Sequence, residues 1–115
     1  MGNYIVDLDF CFDQAFGPIT PLAAYDATTD TVVQTMGLNQ KVIKIKNTGS
    51  NDLVFTIVGS IDRGAEYEYV EKADTTLAAA ASYTHRFTDY YTHVKVQVKA
   101  AAATAATIKA AGQSV

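Results

Sequence analysis

Apolar and polar residues alternate through most of this chain, and a period of two marks strands that bury one face. The clearest case is "HVKVQVK" (93–99), with Val94, Val96 and Val98 on one side and Lys95, Gln97 and Lys99 on the other. In "NYIVDLDFCF", Tyr4, Val6, Leu8, Phe10 and Phe12 share a face, opposite Ile5, Asp7, Asp9 and Cys11. In "KVIKIKN", Ile43 and Ile45 alternate with Lys44 and Lys46, which suits a solvated face or a guarded edge. "LVFTIVGS" is apolar on both faces, so it is expected centrally in a sheet. The "TGSND" between these two runs has the composition of a hairpin loop, and residues 41–60 are expected as a hairpin.

Further strands are expected at "TVVQTM" (31–36), at "AEYEYVEK" (65–72), and in the second half of "LAAAASYTHRF" (77–87). "KADTT" (72–76) reads as punctuation between the last two. The tail "AAAATAATIKAAGQSV" is rich in the best helix former, but it lacks an N-cap and carries Thr104, Thr107 and Ile108. A hairpin with a turn near 101–105 and a last strand "ATIKAAG" is expected over a helix. The sum is an all-β chain of seven or eight short strands, the pattern of a two-sheet antiparallel β-sandwich.

A length of 115 residues suits one domain able to bury a real core without metals or disulfides. Cys11 is the single cysteine, so no intrachain disulfide forms and a structural thiol is expected. No run reaches the ~18 apolar residues of a membrane span. "MGNYIVDLDF" lacks the basic and apolar regions of a signal peptide, and Val6 spoils a myristoylation site. Residues 1–40 hold five acids and no lysine or arginine, while all nine basic residues lie beyond them. This asymmetry suits an acidic arm docking on a basic surface of the same or another copy. The basic residues are scattered singly along the chain, so nucleic acid is not expected as a partner.

"DQAFGPITPLAAYDATTD" (13–30) carries both prolines and reads as a long loop or arm, because proline cannot donate to a sheet ladder. Residues 1–40 are thus expected as an N-terminal strand plus extended arm, and 41–115 as the sandwich core. The candidate contact residues are Phe16, Pro18, Ile19, Pro21, Leu22 and Tyr25 of the arm, with Tyr67 and Tyr69 of the later strand. Tyrosine is well suited to such a role, or to stacking on a sugar.

From residue 41 onward, "VIKIKNTGSNDLVFTIVGSID", "TTLAAAASYTHRF", "DYYTHVKVQVKA" and "ATIKAAG" follow in order. This resembles immunoglobulin-like and fibronectin-type sandwich domains, and most of all the small versions among tailed-phage virion proteins. The resemblance implies a structural virion component, a capsid decoration (cement) protein or a tail piece, assembled in the host cytoplasm. It implies other virion subunits as partners and a homo-oligomer. Tyr90 or Tyr91 would supply the tyrosine corner of such folds, although the chain lacks their tryptophan and cysteine pair. A small carbohydrate- or receptor-binding module is the second reading.

No catalytic, cofactor or metal site is expected. His85 and His93 flank the "TDYY" turn, but zinc needs two more nitrogen or sulfur ligands. Asp7 with Asp9, and the pair in "DATTD" (26–30), fall short of a calcium loop. There is no nucleophile elbow, phosphate loop or dinucleotide fingerprint, so no enzyme is expected.

Overall fold

A computed structural model of the chain describes residues 11–36, 38 and 40–113. The alternation at 4–10, with Asp7 and Asp9, lies outside the described residues. Eight strands follow one another: β1 (Cys11–Ile19), β2 (Thr31–Gln34), β3 (Gln40–Asn47), β4 (Leu53–Ser60), β5 (Tyr69–Leu77), β6 (Ser82–Phe87), β7 (His93–Lys99) and β8 (Ala106–Gln113). They form two sheets, ordered β1-β8-β3-β6 (the first) and β2-β7-β4-β5 (the second), and every strand pair is antiparallel. This is the two-sheet sandwich the alternation calls for.

The connections refine that class. Among consecutive strands only β4 and β5 pair; every other connection crosses from one sheet to the other. An immunoglobulin domain holds several consecutive strands side by side in its ABED and CFG sheets. The order here is instead that of an eight-stranded jelly roll, two Greek keys wrapped into a sandwich. Residues 41–60 are therefore an arch between sheets and not a hairpin. "TGSND" suits both, because a turn composition does not name the sheet its second strand enters. The same holds for the tail. Residues 106–113 form a strand, as expected over the helix, but β8 pairs with β1 and β3 and not with β7. Alanine's helix propensity yields to ladders on both edges.

Two further boundaries differ. Residues 13–19, expected as arm, are the body of β1. Pro18 is accommodated because β1 is an edge strand and its register shifts between Phe16 and Ile19. "KADTT" lies inside β5, a second edge strand whose irregular register tolerates polar residues.

The core is made by the inward halves of the alternating strands. Ile43, Ile45, Phe87, Ala106, Ile108 and Ala110 of the first sheet face Val33, Leu53, Phe55, Ile57, Leu77, Val94, Val96 and Val98 of the second. Burial of each large aliphatic contributes about 1.5–3 kcal/mol. β4 is central, as expected, and even Thr56 and Val58 on its outer side are buried. β3 is also interior; Lys44 and Lys46 are exposed, whereas Lys41 keeps the phase of Ile43 and Ile45 and is buried.

One end of the sandwich is stitched by Asn47, fully buried at the end of β3. Its Nδ2 donates to the carbonyls of Asn51 (2.7 Å) and Leu77 (3.0 Å), and its Oδ1 accepts from Gly49 N (3.1 Å) and Thr104 Oγ1 (2.7 Å). All its donors and acceptors are thereby used. Gly49 sits so close to the β7–β8 connection that a Cβ would lie 2.6 Å from Ala105 N. Asn47→Ala is expected to cost about 2–4 kcal/mol, because it orphans the buried Leu77 carbonyl and Thr104 hydroxyl and releases the β3–β4 arch. Urea denaturation measures this as a lower midpoint with an unchanged slope.

Candidate functional site

The residues nominated as contacts separate into three groups. Phe16 and Ile19 pack against the core, and Pro21 is buried. Tyr25 and Tyr67 come together on the outer face of the second sheet, over the lysines of β7. The Tyr25 ring lies 4.6 Å from Lys99 Nζ and the Tyr67 ring 4.3 Å from Lys95 Nζ. Tyr25 Oη also donates to Asp74 Oδ1 at 2.7 Å, and burial, reinforced by Asp74, pushes its phenol well above the usual range. Pro18, Leu22 and Tyr69 remain exposed. Residues 20–30 are thus laid along the chain's own second sheet, tied by Ala100 N donating to Leu22 O at 2.8 Å. The acidic segment does meet basic residues, but of its own chain, as Asp30 Oδ2 lies 3.8 Å from Lys95 Nζ.

Tyr69 is one of several large apolar side chains exposed about the β4–β5 connection. Ile61, Tyr69, Val70 and Tyr90 are 43–63% exposed where β4 ends, β5 begins and the β6–β7 connection passes. Beneath them Tyr91 is buried, 6.2 Å from the Tyr69 ring. Its ring lies on Gly59, where a Cβ would meet it at 2.5 Å. A bare strand backbone is what lets the ring close over β4.

Tyr91 opens a polar chain that spans the gap between the edge strands β5 and β6. Its Oη donates to Glu71 Oε2 (2.9 Å), Glu71 Oε1 meets His85 Nε2 (2.9 Å), and His85 Nδ1 meets Tyr83 Oη (2.8 Å). The chain is satisfied when His85 carries its proton on Nε2 and accepts from Tyr83 on Nδ1. Burial, then the bond to Glu71, raises the Tyr91 phenol above its usual range. Chemically this is a proton-sharing series of two phenols, an imidazole and a carboxylate, and in the fold it clamps the second sheet to the first. Tyr91 donates to a carboxylate and not to backbone, so it does not form the expected tyrosine corner. Lys41 lies nearby with Nζ donating to the carbonyls of Asp89 (2.9 Å) and Leu38 (3.3 Å), and burial lowers its pKa.

His85 and His93 fall on opposite sheets. Among the described residues no group of three His, Cys, Asp or Glu is placed to hold a metal ion. The aspartates of "DATTD" also diverge. Asp26 caps a single 3-10 turn by accepting from Thr28 Oγ1 and N, and these bonds lower its pKa.

The reading of the cations as scattered singly is corrected by the strand register. Lys44, Lys46, Arg86 and Lys109 all project from the outer face of the first sheet. Alternation marked each as outward; only the pairing of β3 with both β6 and β8 brings them together.

No known protein family matches the sequence, and no curated protein matches it. Among solved structures the chain is similar to PirA, at 16% identity over 95% of this chain and 97% of that one, with a TM-score of 0.51. It is less similar to a Bacillus endospore appendage pilus protein (14% identity, 91% and 84% covered, TM-score 0.46). The coat protein of Tobacco streak virus follows (9% identity, 93% and 89% covered, TM-score 0.37). The likeness to PirA is one of fold alone, and the two weaker ones carry no argument.

Asp30 yields a test of the loop packing. Its side chain is 9% exposed, and Oδ1 has no hydrogen-bond partner among the described residues. Burial raises its pKa, against the pull of Lys95. The folded chain therefore holds this proton more tightly than the unfolded one. The stability it contributes is complete below the ordinary carboxylate range and is lost as pH rises through the raised value. Asp30→Asn is expected to raise the melting midpoint by a few degrees at neutral pH and to leave it unchanged in acid, read by calorimetry.

Proposed function

We propose that this chain is a structural subunit of a tailed-phage virion, most closely a capsid decoration or tail component, and that it works by adhesion. The observation that carries the proposal is the set of large apolar side chains, Ile61, Tyr69, Val70 and Tyr90, left exposed about the end of β4, the start of β5 and the β6–β7 connection. Large apolar side chains left exposed on a small domain favour burial against a partner, and tyrosines are common anchors of such contacts. The polar chain from Tyr91 to Tyr83 and the close seat of Tyr91 on Gly59 hold this region rigid, so little ordering entropy opposes docking. The jelly roll is an architecture that capsid proteins use, which supports the virion setting.

A second reading has one observation in its favour. Jelly rolls also serve as lectin domains, and Tyr69 and Tyr90 offer exposed rings on which a sugar can stack.

Immunogold labelling and mass spectrometry of purified particles of the phage that encodes the chain test the proposal. The chain is expected on the particle in fixed stoichiometry. The double variant Tyr69→Ser with Tyr90→Ser should fold normally yet bind the particle at least about tenfold more weakly. Particles free of the chain, together with a saturable glycan-array signal lost in the same variant, would replace this reading with the lectin one.

A further inference from the structure

The outward residues of the first sheet form a surface of their own. In the β3–β8 ladder Lys44 stands directly opposite Lys109, and Lys46 opposite Thr107; in the β3–β6 ladder Arg86 stands opposite Val42. Like charges in directly opposed positions cost stability, so their presence asks for a compensating partner. All four cations are exposed, and among the described residues none of them takes part in an ion pair. Asp13 of β1 is the one acid placed on this face among the described residues. Two shallow hollows lie on this face, one beside Arg86 with Val42 and Ala111 in its lining, and one beside Lys44 and Lys109 that Ala15, Val42, Ala111 and Asp13 also line.

The opposite side of the sandwich has the complementary charge. Asp26, Asp30, Asp62, Glu66, Glu68 and Asp74 sit on the second sheet or on the two loops that bear on it. With Glu71 of β5 these acids number seven against four cations, Arg63, Lys72, Lys95 and Lys99, and the last two already meet Asp30 and Asp74. The excess is about three positive charges on one broad face and about three negative on the other, counted from the residues just named. Nucleic acid fits this surface poorly. The outward residues of β3, β6 and β8 include no aromatic ring for base stacking, and the whole chain is acidic.

We propose that the cationic outer face of the first sheet docks on the acidic second-sheet side of another copy of this chain. The same two surfaces then repeat in every copy, so the contact is head-to-tail and builds a stack or closes a ring. The inference is independent of the virion reading, because it is measured on the purified chain with no particle present.

The experiment is sedimentation velocity of the full chain over a range of protein and salt concentrations. Mass is expected to rise with protein concentration at low salt and to fall to the monomer near 1 M salt, where the screening length is about 3 Å. Lys44→Glu with Lys109→Glu should weaken association by at least about tenfold, and Glu66→Lys with Glu68→Lys should do the same. Mixing the two variants should restore it, since each then offers the face the other lacks. Melting curves of both variants confirm that the sandwich persists. A wild-type chain that stays monomeric at low salt overturns the proposal. So does association that ignores both charge reversals, or that appears only when heparin or RNA is added.

Discussion

Six of the seven connections in this sandwich pass from one sheet to the other, so its ends have to be closed by interactions between loops that are distant in sequence. Asn47 does this for one end. A single amide supplies two donors and one two-fold acceptor, and the β3–β4 arch, the end of β5 and the β7–β8 connection each take a share. Because the bonds to Leu77 and Thr104 are buried, their loss leaves those partners with no water to turn to. The placement of Gly49 follows from it: the arch can approach Thr104 only where no side chain intervenes.

The long side of the sandwich between β5 and β6 meets a different requirement. Two edge strands from two sheets face each other there, and exposed edges invite pairing with foreign chains. The Tyr91–Glu71–His85–Tyr83 series bridges that gap with side chains, and Phe87 seals it from within, its ring 4.8 Å from His85 and edge-on. The clamp and the exposed apolar side chains about the β4–β5 connection are one construction, since Tyr91 contributes its hydroxyl to the first and supports Tyr69 with its ring.

Much of the fold was legible as alternation. β3, β4 and β7 lie where the period of two places them, and so does the last strand, because each buries one face against the same core. Partners were not legible. "TGSND" and the small residues at 101–105 read as turns, and a turn closes a hairpin or an arch with equal ease. Pro18 and "KADTT" argued against strands, yet both lie in edge strands, where a missing donor or a local bulge costs little. The immunoglobulin-like expectation failed for the same reason: rhythm carries strand number but not strand order. Of the nominated contact residues, Phe16 and Ile19 also pack against this chain's own core and Pro21 is buried, which the sequence did not distinguish from exposure. The cationic face escaped notice because its four residues come from three strands, and only the ladder joins them.

The position of β8 sets the order in which the molecule can be completed during synthesis. It lies between β1 and β3, so the first sheet has no continuous ladder until residues beyond Ala106 have left the ribosome. Until then β1 and β3 both wait with open edges, and one of them carries the alternating isoleucines of the core. Contacts that span most of the chain close slowly, and unpaired strands are the ones that aggregate. A translation pause or premature stop before β8 therefore leaves a nascent chain with the second sheet and the β3–β6 pair able to form and β1 without a partner. The exposed lysines 44 and 46 on β3 are well placed to keep such an intermediate soluble.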